Sequence, residues 1–360
     1  MRRWGLGSVS VALTTSLVLV GCGSDSPAPK THGASGASIA LIVPSGDSDY
    51  FRSVTAGAQE AASTSASSLT VVDDAASVAS QVAAVRSAVD SGVDAIVISP
   101  VGPEVDGAIQ SARDAGLVVV DVGGTGYPSP AANYLVQTDD CVLGTAAGQW
   151  IQGRMPEGSL QWPEFSANFL LVLGDDGEFP RPTCRDQGWF EGAGIPIDVL
   201  SQAQSGAVPT GEFIGIPYSI PCIVNFTGDA AVAQREVTDC VKAHPEINAA
   251  YASTGSLARV AGEGLRRAGK TVGVDVMLTT VAGEDEGLEL ARGSWVNAAA
   301  RPRAAATGGF AVTSALSLLD GQVPETQGGK PFLDTGVDLC TDDPKTAVFT
   351  AVTLPLDKCP

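Results

Sequence analysis

Hydrophobic and polar positions along this chain fall into blocks, and the stretch from Gln81 to Gly124 shows the pattern most clearly. Val82, Val85 and Val89 recur at the spacing of one helical face, and Gly92 marks the end of that helix. The run DAIVISP (94–100) is apolar without alternation, which predicts a strand covered on both faces, as in a parallel sheet. Pro103 suits the first turn of a second helix, with a stripe at Val105, Ile109 and Ala112 and a stop at Gly116. LVVVD (117–121) is the next strand. Both strands end in polar or turn residues, Ser99-Pro100 and Asp121 to Gly124, and carboxyl ends of parallel strands border the ligand crevice of an open sheet.

The same alternation continues on either side. SIALIVP (38–44) predicts the first strand, GDSDYF (46–51) a loop, Phe51 to Ala66 a helix and LTVVDD (69–74) a second strand, all compatible with right-handed crossovers in one sheet. After Gly126 the rhythm changes: residues 127–140 cross out of this lobe, and Val142 to Met155 opens another as a helix. There the pattern predicts strands at 167–176, 197–202, 247–254, 274–283 and 294–302. Helices are expected from Arg185 to Gly194, Ala230 to Ala243, Ser256 to Ala268 and Asp285 to Ala291, with an irregular stretch ending in IPYSIPCIVNF. Ala304 to Leu319 returns as a helix to the first lobe, and the tail from Gln327 is strand-like.

Length and composition sharpen this picture. A chain of 360 residues exceeds one ordinary core, so two lobes are expected. The first 21 residues read as a leader: Arg2 and Arg3 precede an apolar segment, Val9 to Val20, that is too short to span a bilayer. Leu19-Val20-Gly21-Cys22 looks like the lipobox of bacterial lipoproteins, which implies cleavage before Cys22 and lipid on its sulfur. A plain secretory signal with an incidental cysteine is the alternative. Residues 22–37 then form a flexible tether rich in small and polar residues.

Without the leader's two arginines, 19 basic residues face 40 acidic ones. That excess of negative charge argues against nucleic acid and against charge-driven docking on anionic lipid. Six cysteines remain besides Cys22, an even number that in an exported chain points to disulfides. Cys340 with Cys359 is the expected pair; Cys141, Cys184, Cys222 and Cys240 leave three pairings open.

Catalytic chemistry is thinly supplied. Of two histidines, His32 lies in the tether and His244 at a helix end beside Pro245. There is no GxSxG, HExxH or P-loop, and VGGTGYP (122–128) runs into prolines instead of the helix a phosphate turn needs. GDDGE (174–178) lacks the spacing of a calcium loop. The expectation is a chain that is not an enzyme and carries no cofactor or structural metal.

Five segments resemble, in order, the sugar-type periplasmic binding proteins that serve ABC importers: residues 39–62, 92–122, 138–151, 242–253 and the glycine-paired helix from 308. The resemblance is collinear over nearly the whole mature chain. It implies a type I binding-protein fold, α/β, with two Rossmann-like lobes of parallel sheet joined by a three-crossing hinge around a ligand. The boundaries expected are 38–137 plus 302–326 for the amino-terminal lobe and 138–301 plus 327–360 for the carboxy-terminal lobe. It also implies a lipid-anchored receptor on the outer face of the cytoplasmic membrane, monomeric, partnered by a small sugar-like solute and an ABC permease. The competing readings are a sensor's receptor and an envelope hydrolase.

Carried over residue by residue, the resemblance places Tyr50 and Phe51 as aromatics that stack on a sugar ring. Ser99 stands where the family often has Asn, with a plain turn role the alternative, and Asp121 where an acid accepts hydroxyl hydrogen bonds. Arg185, in the pattern Arg-Asp-Gln-Gly-Trp, would fork onto ligand hydroxyls, with a surface ion pair as the bland alternative, and Phe226 would close on the ring. Thr254 and Glu284 replace family residues only in part, and Val122 and Ala300 depart outright, so a ligand other than ribose is expected. Arg181, Arg185 and Arg301 leave room for a carboxylate- or phosphate-bearing one.

Overall fold

The computed structural model describes residues 36–124, 127–154, 166–174, 182–199, 202, 207–213, 216–324, 326–327, 331–346 and 348–359. The leader, Cys22 and most of the tether lie outside the described residues, as do Arg181 and all of the acidic loop but Gly174.

The first sheet is built from β1 (Ser38–Ile42), β2 (Ser68–Val72), β3 (Ala95–Ile98), β4 (Val118–Asp121) and β5 (Tyr134–Gln137), with β12 (Phe332–Asp334) on its edge. Its order is β12-β5-β4-β3-β1-β2, and every pairing is parallel. Along β1, Ile39 and Leu41 enter the core on one face, and Ala40 and Ile42 the core on the other. This two-sided burial explains why the run carries no polar alternation. One face is covered by α1 (Asp49–Thr64) and α9 (Ala304–Leu319), the other by α2 (Val78–Ser91) and α3 (Asp106–Asp114). Ser77 caps α2 in a reciprocal capping box with Ser80, and Gly92 ends the helix in the left-handed conformation its φ of 73° requires.

The second sheet repeats the plan. It contains β6 (Ala167–Leu173), β7 (Thr210–Phe213), β8 (Ile216–Asn225), β9 (Ala249–Ala252), β10 (Met277–Val281), β11 (Ala298–Pro302), β13 (Val337–Thr341) and β14 (Val352–Pro355). The order is β14-β13-β11-β10-β9-β6-β8-β7, antiparallel only where β13 meets β11 and β7 meets β8. Helices α4 (Asp140–Arg154) and α5 (Pro182–Ala193) cover one face. The other carries α6 (Ala230–Ala243), α7 (Gly255–Arg267) and α8 (Glu284–Arg292). In both sheets the central order β2-β1-β3-β4-β5, or its counterpart β8-β6-β9-β10-β11, reverses direction beside the first strand. Such a switch point opens a crevice at the strands' carboxyl ends.

Glycines set the closest helix contacts. In α4 and α5, Gly144 and Gly148 face Gly188 and Gly192 across the pair, and a Cβ at any of the four would collide with backbone of the other helix. Gly57 of α1 and Gly308 of α9 repeat this in the first lobe, against the carbonyls of Ala305 and Val54. Small residues at four-residue spacing let two backbones touch.

Three disulfides join Cys141 to Cys184, Cys222 to Cys240 and Cys340 to Cys359. The chain passes between the sheets after β5, after β11 and after β12. Residues 332–334, expected with the second lobe, pair instead with Leu135–Gln137, so the last crossing falls at Thr335–Gly336. The strand expected at 197–202 is also corrected: Ile197 and Asp198 form a turn and Val199 is helical. IPYSIPCIVN, expected to be irregular, is β8. It tolerates Pro221 because its register with β6 shifts between Asn168↔Ser219 and Leu170↔Cys222, leaving the proline in a bulge.

Candidate functional site

The strand ends of the two lobes approach each other. Gly283, which precedes α8, places the position of a Cβ 3.8 Å from Cβ of Asp49 at the start of α1. The turns that follow β1 and β10 therefore meet across the lobes, with the carboxyl ends of the two parallel sheets on the facing side.

On the first-lobe side, Tyr50 and Phe51 part company. Phe51 is fully buried in the lobe core, so it packs the start of α1. Tyr50 is partly exposed, meets Phe51 edge-on at 5.2 Å, and directs its hydroxyl toward the Val122 carbonyl at 3.5 Å. Gly124, with φ of 92°, runs so close to the Tyr50 ring that a side chain there would displace it.

Ser99 and Asp121 are fully buried and organise the loops. The Ser99 hydroxyl donates to the Gly123 carbonyl, and its own carbonyl accepts from Gln81 Nε2 at 2.7 Å. The Gln81 Oε1 accepts from the Val101 amide, so this buried glutamine of α2 ties down the β3 turn. Asp121 accepts backbone N–H bonds from Gly123 and Ser129, both at 2.7 Å. Burial pushes its pKa up to about 7, while those two donors pull it back and Asp106 adds repulsion. Asp106 in turn accepts from the Tyr127 and Ser129 hydroxyls, each at 2.5 Å. The hydrogen bond to Asp106 raises the Tyr127 phenol to about 12.

On the second-lobe side, Arg185 rises from the first turn of α5. Its Nη1 donates to the Ser253 carbonyl at the end of β9, and its Nη2 pairs with Asp140 Oδ1, both at 3.2 Å. Nε is buried without a hydrogen-bond partner in the described structure, although the side chain keeps 23% exposure. Burial works against its charge, but its partner Asp140 foremost holds its pKa above the usual arginine value. Neither surface partner weighed from the sequence, Asp186 nor Glu191, makes its ion pair; Asp140 does. Asp186 instead accepts from Tyr251 Oη at 3.0 Å and Ser253 Oγ at 2.7 Å, and burial raises it to about 6. Beneath it Trp189 stacks on Tyr251, with centroids 4.7 Å apart, inside the core.

Phe226 follows β8, half-buried against Gly174. Thr254 caps α7, accepting from the Leu257 amide at 3.3 Å. Glu284 opens α8, and the Glu286 carboxylate lies over Gly255 at the start of α7. Arg301, placed near the gap by the sequence, is 98% buried: its Nη1 donates to Cys340 Sγ at 3.1 Å and its stem lies against Gly287. Of the three arginines weighed for an anion, Arg185 is the described one whose head reaches the strand-end gap.

Three other features lie outside this gap or fail its chemistry. His244 caps α6 and pairs with Glu246 ahead of β9, at the opposite end of the sheet. Asp139 sits near the sulfurs of Cys141 and Cys184, but those sulfurs are joined to each other and are not thiolate ligands. A groove of about 420 Å³ between α2 and α3, lined by Val82, Val85 and Arg86 among others, lies on the outer side of the first lobe.

Two doubly wound sheets with the same strand order, facing across three crossings, define a two-lobed receptor of the type I binding-protein class. The chain belongs to the periplasmic binding protein domain family, whose pattern matches residues 39–322. It is similar in structure to an ABC transporter solute binding protein from Burkholderia graminis in complex with D-arabinose, at 18% identity, 88% coverage of this chain, 99% of that one, and a TM-score of 0.62. A second neighbour is a periplasmic solute binding protein from Actinobacillus succinogenes with bound D-allose (17%, 84% and 96%, TM-score 0.61). A third is the arabinose binding protein AraP of Geobacillus stearothermophilus (16%, 85% and 97%, TM-score 0.63). At these identities the likeness establishes the fold. No curated protein matches the chain in sequence at a significant level.

Proposed function

We propose that this chain is an extracytoplasmic substrate-binding protein that closes two lobes on a small sugar or sugar-like solute and presents it to an ABC permease. The carrying observation is the approach of Gly283 to Asp49, which brings the two switch-point crevices into one gap. Arg185 supplies the ligand-facing donors from the second lobe. Tyr50 and Phe226, both partly exposed at strand ends, supply apolar faces that suit the C–H side of a ring.

The family supports binding without chemical conversion, and the neighbours' sugars support a polyhydroxylated ligand. The leader and Cys22 support a lipid anchor on the outer face of the cytoplasmic membrane, with the receptor acting as a monomer. Ligand shifts the open–closed equilibrium by its differential affinity for the closed form, and the permease would read that form. Asp121 and Ser99 contribute by shaping the loops, with their polar atoms already engaged.

The test is a thermal-shift screen of residues 23–360 against D-arabinose, D-allose, other sugars, polyols, nucleosides and small acids. A site filled at 100 times its Kd adds about 2.7 kcal/mol. Stabilisation by sugars, reduced but still measurable in Arg185→Ala, is the expected result. Stabilisation by small acids alone would overturn the sugar reading.

A further inference from the structure

We propose that the Cys141–Cys184 disulfide is a positioning device for the ligand-facing guanidinium of Arg185. This rests on the reading of the gap as a binding cleft. The two cysteines are the immediate sequence neighbours of the ion pair: Asp140-Cys141 opens α4 directly after the first crossing, and Cys184-Arg185 lies in the first turn of α5. The bond therefore joins the two backbones at the point where the carboxylate and guanidinium meet, with Cα atoms 4.8 Å apart.

The fold itself has other means of holding this helix pair. Gly144, Gly148, Gly188 and Gly192 already bring the two backbones into contact further along, and the Arg185 carbonyl rests against Gly144. What packing leaves undetermined is the fork of Arg185. Its two hydrogen bonds are long, its Nε has none in the described structure, and its partner Asp140 is 35% exposed. A long flexible side chain held by such bonds would sample several rotamers if the start of α4 moved. Asp139 caps that start, its carboxylate accepting from the Cys141 amide at 2.8 Å, yet it also stands at the hinge crossing. The cross-link fixes the first turn of α4 to α5 whatever the hinge does, so Asp140 follows Arg185 through opening and closing.

Two readouts separate this from a purely structural role. In ligand-free protein, the Arg185 Nε–H signal, assigned by its loss in Arg185→Ala, is expected to exchange with water at least tenfold faster in Cys141→Ala/Cys184→Ala. Asp140→Ala, which keeps the disulfide but removes the carboxylate that the cross-link holds in place, is expected to accelerate exchange by a similar factor. An unchanged rate in either variant overturns the proposal, and neither outcome depends on knowing the ligand. The second readout uses D-arabinose and D-allose by calorimetry: removing the disulfide should weaken binding about tenfold in the wild-type background and less than twofold in Arg185→Ala. Removing Cys222–Cys240 should leave affinity within twofold. Equal losses in both backgrounds overturn the proposal, whereas absence of sugar binding in the wild type refutes the ligand reading and leaves the exchange experiment to decide.

Discussion

Thr138 and Thr335 lie at two of the crossings and Thr307 one turn into α9 beyond the third, and their buried hydroxyls form a chain. Thr335 Oγ1 lies 2.8 Å from Thr138 Oγ1 and 2.9 Å from Thr307 Oγ1, and Thr307 donates to the Arg303 carbonyl at 3.0 Å. One proton per hydroxyl permits a directed relay, Thr138 to Thr335 to Thr307 to Arg303, linking all three crossings. Thr335→Val keeps the shape and removes the middle of this relay. Each lost bond is worth about 0.5–1.5 kcal/mol net, so two give about 1–3 kcal/mol. Thr138 retains the Gly336 carbonyl at 3.4 Å and Thr307 retains Arg303, so no remaining hydroxyl is orphaned and the lower half of that range is expected. Urea unfolding of the ligand-free protein measures it, with an unchanged m-value as the check on comparability. Thr138→Val combined with Thr335→Val should cost less than the sum of the two by about 0.5 kcal/mol or more, because they share a bond. Thr313→Val, on the exposed side of α9, should fall within about 0.5 kcal/mol of wild type. A Thr335→Val protein as stable as wild type, or strict additivity of the pair, would refute the relay.

The neighbouring glycines of α9 should behave oppositely. Gly308→Ala drives a methyl into the Val54 carbonyl and should cost about 1–3 kcal/mol in urea unfolding, whereas Gly309→Ala meets its nearest atom at 3.5 Å and should be neutral or stabilising by helix propensity. Equal effects would dismiss the backbone contact. Asp121 and Asp186 have folded pKa values raised to about 7 and about 6, against roughly 3.9 unfolded. Their contribution is therefore fully present below pH ~4 and is lost as pH rises through those folded values. The stability of Asp186→Asn relative to wild type should accordingly rise between pH 5 and pH 8, by the order of a 1.4 kcal/mol step per pKa unit at most; a flat difference would refute the burial account. Removing Cys222–Cys240, whose members are 18 residues apart, should cost roughly 3 kcal/mol through the unfolded chain, read by thermal unfolding under non-reducing conditions.

The alternation of apolar runs and helical stripes was enough to locate β1, β3 and β4, because strands buried on both faces leave an unmistakable run. It failed at β8, where two prolines read as breakers; only the bulge against β6 makes room for one of them, and that register is a tertiary fact. Among the site residues, type and place at a strand end were legible, but the use of each polar atom was not. Nothing in LVVVD announces that the oxygens of Asp121 are taken by Gly123 and by Ser129, eight residues on. Phe51 and Tyr50 look equivalent in sequence, and a rotation of 100° per residue along α1 puts one in the core and the other at the rim. Gln81 was missed as a loop anchor because a single polar residue on an otherwise apolar helix face carries no label for its partner. The four-residue glycine spacing in α4 and α5 was the one unread signal that could have predicted their contact.

The two lobes share strand order and a glycine-mediated helix pair, yet their strand ends differ in what they leave available. In the first lobe, Ser99 and Asp121 bind the loop backbone at Gly123 and Ser129, and Asp106 accepts from the Tyr127 and Ser129 hydroxyls, so these polar groups are engaged in holding the loop. In the second, Asp186 is satisfied from below by Tyr251 and Ser253, while Arg185 has two long bonds and a buried Nε without a partner among the described residues. A donor held in that condition has most to gain from a ligand oxygen, since an unmade hydrogen bond to a charged group costs more than a neutral one. On the proposed function, recognition by polar groups would then be weighted to the second lobe and shape to the first. The hydroxyl relay at the crossings stands next to this ion pair in the chain, because Thr138 lies two residues before Asp140, so a change at the joint has a short covalent path to Arg185.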